Sequence, residues 1–239
     1  MDPERGVRMA KILRDEAIIP NGNSFEDNIE FIYQLFLNDF QDKNLRPTIN
    51  GKFVYVDMNK KTDQKPDVFW HLISLDQTHN FKVLPCLNTP TQKHCTKNCN
   101  NKCYQCLNRN VCLYRGVRLI WVLDILNVYN ANPADSRLKC YYETCNERQR
   151  LKILYHDETE EVIDFIVVLE EYNNYYKLIT GYPVFYDHLV IKYNQDYAKY
   201  QKSLKTKNVI KLPQLQKKKR PSYGTNAGGS FYNQVNELI

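Results

Sequence analysis

Five cysteines between residues 95 and 112 have the spacing of metal ligands. The segment reads HCTKNCNNKCYQCLNRNVC and starts at His94. Thiolates about two to four residues apart can converge on one tetrahedral zinc ion, and a shell of four thiolates leaves no open coordination position. We therefore predict a structural zinc ion bound by Cys95, Cys99, Cys103 and Cys106. Two further residues are alternatives for one of these ligands: Cys112 and His94.

An iron–sulfur cluster is the alternative for the same cysteines. Cys99, Cys103 and Cys106 have a spacing similar to that of the radical SAM motif. Those enzymes usually need a larger α/β barrel, whereas this chain lacks repeated strand–helix units. Free thiols are the third interpretation, and Cys86, Cys140 and Cys145 are expected to be buried residues. Zinc is favoured because it would organise a segment that has few apolar residues of its own.

Hydroxyl groups mark the end of a strand-like stretch near residue 180. The stretch YYKLITGYPVFYDH spans residues 175–188 and contains Thr180 and Tyr182 just before Pro183. Hydroxyls at this place can hold a phosphate oxygen, and a tyrosine ring can also stack on a base. The structural alternative is that Thr180 is simply a good strand residue and that Tyr182, placed before a proline, only shapes a turn.

The elements around these residues predict an α+β fold. Helical spacing with a Ser24 cap predicts a helix over residues 24–42. Helices are also predicted for residues 113–130 and 185–204, and GKFVYVDM is a predicted strand. Four short strands, with a tight turn at Asn173–Asn174, predict an antiparallel sheet over about residues 136–182. We expect a helical N-terminal half to pack on this four-stranded antiparallel sheet, with the apolar VVL strand in its centre.

Composition limits the partners and the compartment. The 239 residues have a net charge of +6, and 18 of them are Tyr, which suits RNA binding without proving it. The absence of a long apolar run predicts no membrane partner and a cytoplasmic protein. We divide the chain into three parts. These are an N-terminal helical segment (1–48), an α+β domain (49–204) with the cysteine-rich zinc-binding insert (86–112), and a basic, flexible tail (205–239).

The order of motifs in the C-terminal two thirds resembles a nuclease superfamily. VFWHLISL is similar to a Phe-x-His motif, RGVRLIWVLDIL to an Arg-headed helix, and the end of the last strand to a Thr-Ala-Tyr-Pro motif. The chain departs from the last motif because Gly181 stands in the place of Ala. Over roughly residues 66–204, the chain resembles the phage-associated nucleases of the barnase, EndoU, colicin and RelE superfamily.

This resemblance implies a metal-independent endoribonuclease, borne by a phage or mobile element and toxin-like, with transfer RNA as one candidate substrate. Such cleavage uses the 2′-hydroxyl as nucleophile and needs proton transfer and stabilisation of the phosphorane charge. The implied roles are His71 as general acid or base, Arg118 and Arg150 as phosphate ligands, and Thr180 and Tyr182 as hydroxyls that complete the site. Arg148 is the alternative to Arg150.

Each of these residues also has a structural interpretation. A lone histidine between Trp70 and Leu72 is more often a hydrogen-bonded core residue, and Arg118 could be an ion-pair partner on a helix surface. Two other functions stay open. One is a non-catalytic RNA- or protein-binding module on the same scaffold. The other is a phage-borne inhibitor whose insert and tail contact a protein partner.

Overall fold

The computed structural model describes most of the chain between residues 12 and 211. The described residues are 12–21, 24–76, 103–104, 109–158 and 163–211. Among the described residues, those up to residue 201 form one compact unit, and residues 202–211 belong to a second. In the described part of the chain, every helix is too short or too polar to span a bilayer.

Helices and strands combine in an α+β fold, as predicted. The helices are α1 (Phe25–Phe40), α2 (Asp67–Ile73), α3 (Leu113–Gly116), α4 (Trp121–Ala131) and α5 (Asp187–Lys211). The strands are β1 (Thr48–Ile49), β2 (Lys52–Tyr55), β3 (Lys61–Thr62), β4 (Lys65–Pro66), β5 (Ser74–Asp76), β6 (Cys103–Tyr104), β7 (Arg109–Val111), β8 (Leu138–Cys145), β9 (Arg148–Tyr155), β10 (Phe165–Glu171) and β11 (Tyr175–Pro183).

Helix α1 begins with a capping box. The Ser24 hydroxyl accepts a hydrogen bond from the backbone N–H of Asp27, and the Asp27 carboxylate accepts one from the backbone N–H of Ser24. These reciprocal bonds satisfy two N–H groups that a helix start leaves without partners. The helix buries an apolar stripe that includes Ile32 and Phe36. The prediction of a helix over residues 24–42 is therefore confirmed.

The main sheet has six strands in the order β1-β2-β11-β10-β9-β8. The four predicted strands β8 to β11 are present and antiparallel, and β10, which contains the VVL residues, lies inside the sheet. The predicted count of four strands is wrong, because β2 pairs in parallel with β11 and brings β1 with it. A four-residue strand shows no period that would reveal its partner, so only the folded chain decides this pairing.

Tight turns join three strand pairs of the main sheet. Asn146 and Glu147 connect β8 to β9 with φ angles of 48° and 65°, and Asn50 and Gly51 connect β1 to β2 with 50° and 76°. Positive φ at both central positions matches the twist of a two-residue hairpin. The predicted turn at residues 173–174 is present between β10 and β11, but neither asparagine has a positive φ there.

The sheet curls toward one of its faces. The Tyr142 hydroxyl on β8 lies 2.7 Å from the Tyr176 hydroxyl on β11, and the Asn50 amide donates to both at 3.2 Å. Two strands separate β8 from β11, and in a flat sheet such strands would lie about 14 Å apart. The tyrosine pair therefore closes the concave face.

Helices cover both faces of the sheet. The concave face carries the main core, in which residues such as Leu151 and Ile153 of β9 pack with Phe36 of α1 and Ile125 of α4. Helix α5 covers part of the other face, where its Tyr193 packs with Leu154, Ile166 and Val168. The N-terminal helices thus pack on one face, as predicted, while α5 adds a layer to the convex face.

The predicted helix over residues 113–130 is divided. Helix α3 ends at Gly116, and α4 starts at Trp121. Between them the backbone bonds run from residue i to i+3, as in the bond from the Leu119 N–H to the Gly116 carbonyl. A Cβ atom at Gly116 would lie 2.6 Å from Cδ1 of the fully buried Ile32 on α1, so the glycine permits this close approach.

Candidate active site

Strand β11 carries a β-bulge next to Thr180. In its pairing with β10, Val168 lies opposite Thr180 and Leu169 lies opposite Leu178, which leaves Ile179 as an extra residue. A bulge changes the direction of nearby side chains and is common beside active sites. The bulge therefore determines where the Thr180 hydroxyl points.

Thr180 contacts the C-terminal turn of α2. Its hydroxyl donates to the carbonyl oxygen of His71 at 3.0 Å, although the two residues are 109 positions apart. The contact involves the backbone of His71 and not its imidazole. The structure thus brings together two of the five predicted site residues at the end of a short helix.

A buried arginine, Arg115, caps the same helix end. Its Nε donates to the carbonyl of Leu72 at 3.1 Å, its Nη2 to the carbonyl of His71 at 2.9 Å, and its Nη1 to the carbonyl of Ser74. The last carbonyls of a helix have no intrahelical partners and carry partial negative charge, so a cation is favourable there. Arg115 therefore holds the C-terminal turn of α2 in place.

The same guanidinium also reaches β11. Its Nη2 lies 3.3 Å from the Thr180 hydroxyl and 3.4 Å from the Gly181 carbonyl oxygen, and its Cζ lies 5.0 Å from the centre of the Tyr182 ring. Arg115 is 5% exposed. Arg115 thus adds a second connection, besides the Thr180–His71 hydrogen bond, between the His71 turn and the Thr-Gly-Tyr-Pro segment.

The charge of Arg115 has no acidic counterpart in the described part of the chain. Burial lowers the pKa of Arg115 to about 10, so it stays protonated at neutral pH. Among the described residues it forms no ion pair with a carboxylate, and carbonyl dipoles solvate it instead. Arg109 adds a second cation, since its guanidinium donates to the hydroxyl and the carbonyl of Ser74 at 2.7 Å and 3.1 Å. Two guanidiniums therefore lie beside one helix end.

His71 is neutral at physiological pH. Burial of its ring, together with the positive charges of Arg109 and Arg115, lowers the pKa of His71 to about 4, and Asp67 opposes the shift. The residue as a whole is nevertheless exposed, so solvent reduces the effect of its neighbours. Its imidazole donates to and accepts from no described residue. A neutral, accessible imidazole can accept a proton.

Tyr182 joins the group to helix α5. Its hydroxyl lies 2.7 Å from the hydroxyl of Tyr193, and burial raises the pKa of Tyr193 well above its ordinary value. The Tyr182 ring remains half-buried beside Arg115. The structure therefore places Tyr182 with Thr180 and the His71 turn, which makes three of the five predicted residues neighbours.

Arg118 lies in a different environment. Its Nη2 forms an ion pair with Glu16 at 2.6 Å, its Nη1 donates to the Tyr114 carbonyl at 3.0 Å, and its Cζ lies 3.5 Å above the Tyr114 ring. The arginine that contacts Thr180 is Arg115, which sequence reasoning missed. The signal was present, because RGVRLIWVLDIL begins with Arg115.

Arg150 and its alternative Arg148 bind the same carboxylate. Arg150 donates from Nε and Nη2 to Glu170 at 3.2 Å, and Arg148 donates from Nη1 to the other oxygen at 2.7 Å. The residue of β9 aligned with Thr180, through Val168, is Lys152 and not Arg150. Arg150 is two residues further along the strand, so the structure does not bring it to Thr180.

The zinc hypothesis stays a prediction. Cys95, Cys99 and Cys106, as well as His94, lie outside the described residues, and of Cys103 only the backbone strand β6 is described. Within the described residues no group of three or more His, Cys, Asp or Glu side chains could hold a metal ion. Cys112, the alternative ligand, is buried with Tyr114 and Phe185.

Comparison of the chain with family models, with curated proteins and with solved structures found no match. The geometry of the chain's own residues is thus the basis for a functional proposal.

Proposed function

We propose that this protein is a metal-independent endoribonuclease whose phosphate-binding centre lies between the C-terminal turn of α2 and the end of β11. The observation that carries the proposal is the buried Arg115, a cation without an acidic partner among the described residues, placed between His71 and Thr180. Buried charge is costly unless it is compensated. A bound phosphate near this site would add a negative charge beside a cation that only carbonyl dipoles now solvate, while Arg115 keeps its hydrogen bonds.

The proposed reaction begins at the 2′-hydroxyl of the RNA. His71 takes the proton of this hydroxyl as its oxygen attacks phosphorus, and the bond from phosphorus to the 5′-oxygen breaks. A hydroxyl donor must protonate the leaving oxygen, and Tyr182 is the candidate in this group. The products are a 2′,3′-cyclic phosphate and a 5′-hydroxyl.

Electrostatics would adjust His71 for this step. A base with a pKa of about 4 is fully neutral at pH 7 but weak. The phosphate charge opposes the fields of Arg109 and Arg115, and an opposite charge nearby raises the pKa of a histidine. Substrate binding would therefore make His71 a stronger base.

The arginines have different roles in this proposal. Arg115 is a positioning residue, because its donors hold the turn and the strand. Arg150 remains a proposed phosphate ligand, which requires it to exchange Glu170 for phosphate. Arg118, which the resemblance named, would act only by anchoring the N-terminal segment through Glu16.

Cleavage of labelled RNA in EDTA tests the proposal. Wild-type protein should release fragments ending in a 2′,3′-cyclic phosphate, and His71→Asn should release none while keeping its circular dichroism spectrum. His188→Asn is the matched control, because His188 is an exposed histidine on α5. RNA binding without cleavage by the wild-type protein would refute the catalytic role and favour the binding-module alternative.

A further inference from the structure

Three aromatic rings and an arginine form a continuous row on the sheet. The Tyr172 and Tyr175 rings stack at 4.5 Å with an angle of 10°, and Phe53 stacks on Tyr175 at 5.6 Å with an angle of 28°. The guanidinium of Arg148 lies 5.1 Å from the centre of the Tyr172 ring. We call these four residues the aromatic row.

The aromatic row is assembled from four separate places in the fold. Phe53 lies on β2, Tyr175 begins β11, Tyr172 follows β10, and Arg148 begins β9. The parallel pairing of Phe53 with Tyr175 brings the first two together. None of the three rings belongs to a hydrophobic cluster of the described core.

Part of the row faces solvent. Phe53 is 53% exposed, which is unusual for a large apolar side chain, and the Arg148 side chain is 56% exposed. Arg148 donates from Nη1 to the Glu170 carboxylate and to the Tyr172 hydroxyl, while its Nε and Nη2 donate to no described residue. A flat ring face and guanidinium donors are therefore available on one surface.

Cations outnumber carboxylates around the row. Its neighbours Lys52 and Lys177 pair with Glu171 and Asp57, whereas Glu170 is shared by two arginines, Arg148 and Arg150. In these ion pairs of the described residues, four cations are combined with three carboxylates. A surface of this kind complements a ligand that alternates flat rings with negative charges.

We propose that the aromatic row binds unpaired bases of single-stranded RNA by stacking, with Arg148 contacting a backbone phosphate. Proteins that bind single strands combine aromatic platforms with basic side chains in this way. A duplex hides its base faces, so single strands are expected to bind better than duplexes. The proposal rests on the proposed function in taking RNA as the ligand, but it does not require cleavage.

Fluorescence anisotropy with a labelled single-stranded RNA of about 12 nucleotides tests this site. The full-length His71→Asn protein serves as the background, so that the RNA stays intact. Phe53→Ala should weaken binding by roughly 5- to 100-fold, the loss expected for one stacked base. Tyr175→Ala should weaken binding less, because Phe53 and Tyr172 already stack on its ring and it acts as their support. Phe53→Trp should retain binding and report it by quenching of the new exposed tryptophan, since Trp70 and Trp121 are buried.

Controls separate stacking from other effects. Tyr197→Ala on α5 removes a tyrosine outside the row and should leave affinity unchanged. Arg148→Ala should weaken binding to all sequences and lower the slope of log affinity against log salt by about 1. Equal affinity of Phe53→Ala and its parent, or a preference for duplex RNA, would overturn the proposal.

The experiment also distinguishes the two proposals. If wild-type protein binds RNA through the row but never cleaves it, the base-stacking site stands and the nuclease function fails. If Phe53→Ala in the otherwise wild-type chain cleaves RNA with an unchanged KM, the nuclease function stands and the base-stacking site fails.

Discussion

A substitution at Gly181 would test how β11, the strand of the candidate site, packs on α4. A Cβ atom at this position would lie 2.7 Å from Cγ2 of Val122 and 3.3 Å from Cε1 of Phe165. Carbon atoms prefer about 3.5–4.0 Å, and both neighbours are completely buried. We predict that Gly181→Ala lowers the free energy of unfolding by about 1–3 kcal/mol through overpacking. Replacing the glycine also lowers the conformational entropy of the unfolded chain, which offsets about 0.4–1 kcal/mol of this loss.

A second substitution makes the prediction specific. Val122→Ala alone removes two buried methyl groups, at about 0.8 kcal/mol each plus a cavity term. In the double variant the new methyl group at Gly181 enters the space that Val122 vacates. The loss of unfolding free energy in the double variant should therefore be about 1–3 kcal/mol smaller than the sum of the losses in the two single variants.

Urea unfolding of the four proteins measures this coupling, provided that the m-value stays constant. Val54→Ala is the matched control, since Val54 is a buried valine on β2 that is not among the atoms nearest Gly181. Its combination with Gly181→Ala should be additive. Additive losses in the Val122 pair, within about 0.5 kcal/mol, would refute the packing of β11 on α4 described above.

Four further outcomes are expected. Arg115→Met should lower the free energy of unfolding by about 3 kcal/mol or more, because several buried carbonyls lose a charged donor. Arg115→Lys should lower it less, and urea unfolding measures both losses. The folded-state pKa of His71 lies below its unfolded value, so the unfolded chain binds more protons between about pH 4 and 6.5, and His71 makes stability rise with pH in that window. Thermal melts should show a smaller loss between pH 7 and pH 5 for His71→Asn, and an unchanged loss would contradict the shift. Arg150→Ala should abolish RNA cleavage while leaving the fold and some RNA binding. A gel assay that still shows cleavage by this variant would contradict the prediction. Elemental analysis should find about one zinc per chain, and Cys103→Ser should lower the zinc content and leave the sheet folded. A brown protein that contains iron would refute the zinc prediction.

Local patterns were sufficient for elements whose partners are close in sequence. The Ser24 cap and the stripe with Ile32 and Phe36 define α1, because a helix satisfies its own backbone and needs only one apolar face. The hairpins from β8 to β11 follow for the same reason, since each strand pairs with its chain neighbour. The apolar β10 had to lie inside the sheet, because it is buried on both faces.

Contacts between distant segments could not be predicted in this way. The parallel pairing of β2 with β11 joins residues more than 100 positions apart, and nothing local in GKFVYVDM specifies it. Whether Arg115 or Arg118 contacts Thr180 also depends on contacts between distant segments. The two residues are three positions apart, and the tight turn after Gly116 determines that one meets β11 and the other meets Glu16.

The sequence by itself determined the α+β class, the order of the elements and the presence of His71, Thr180 and Tyr182 as candidates. Tertiary structure alone decided that the Thr180 hydroxyl meets the backbone of His71, that Arg115 lies between them, and that Arg150 pairs with Glu170. The physical reason is the range of the forces involved. Periodicity and capping act over a few residues, whereas the position of a buried guanidinium depends on which carbonyls the completed fold places around it.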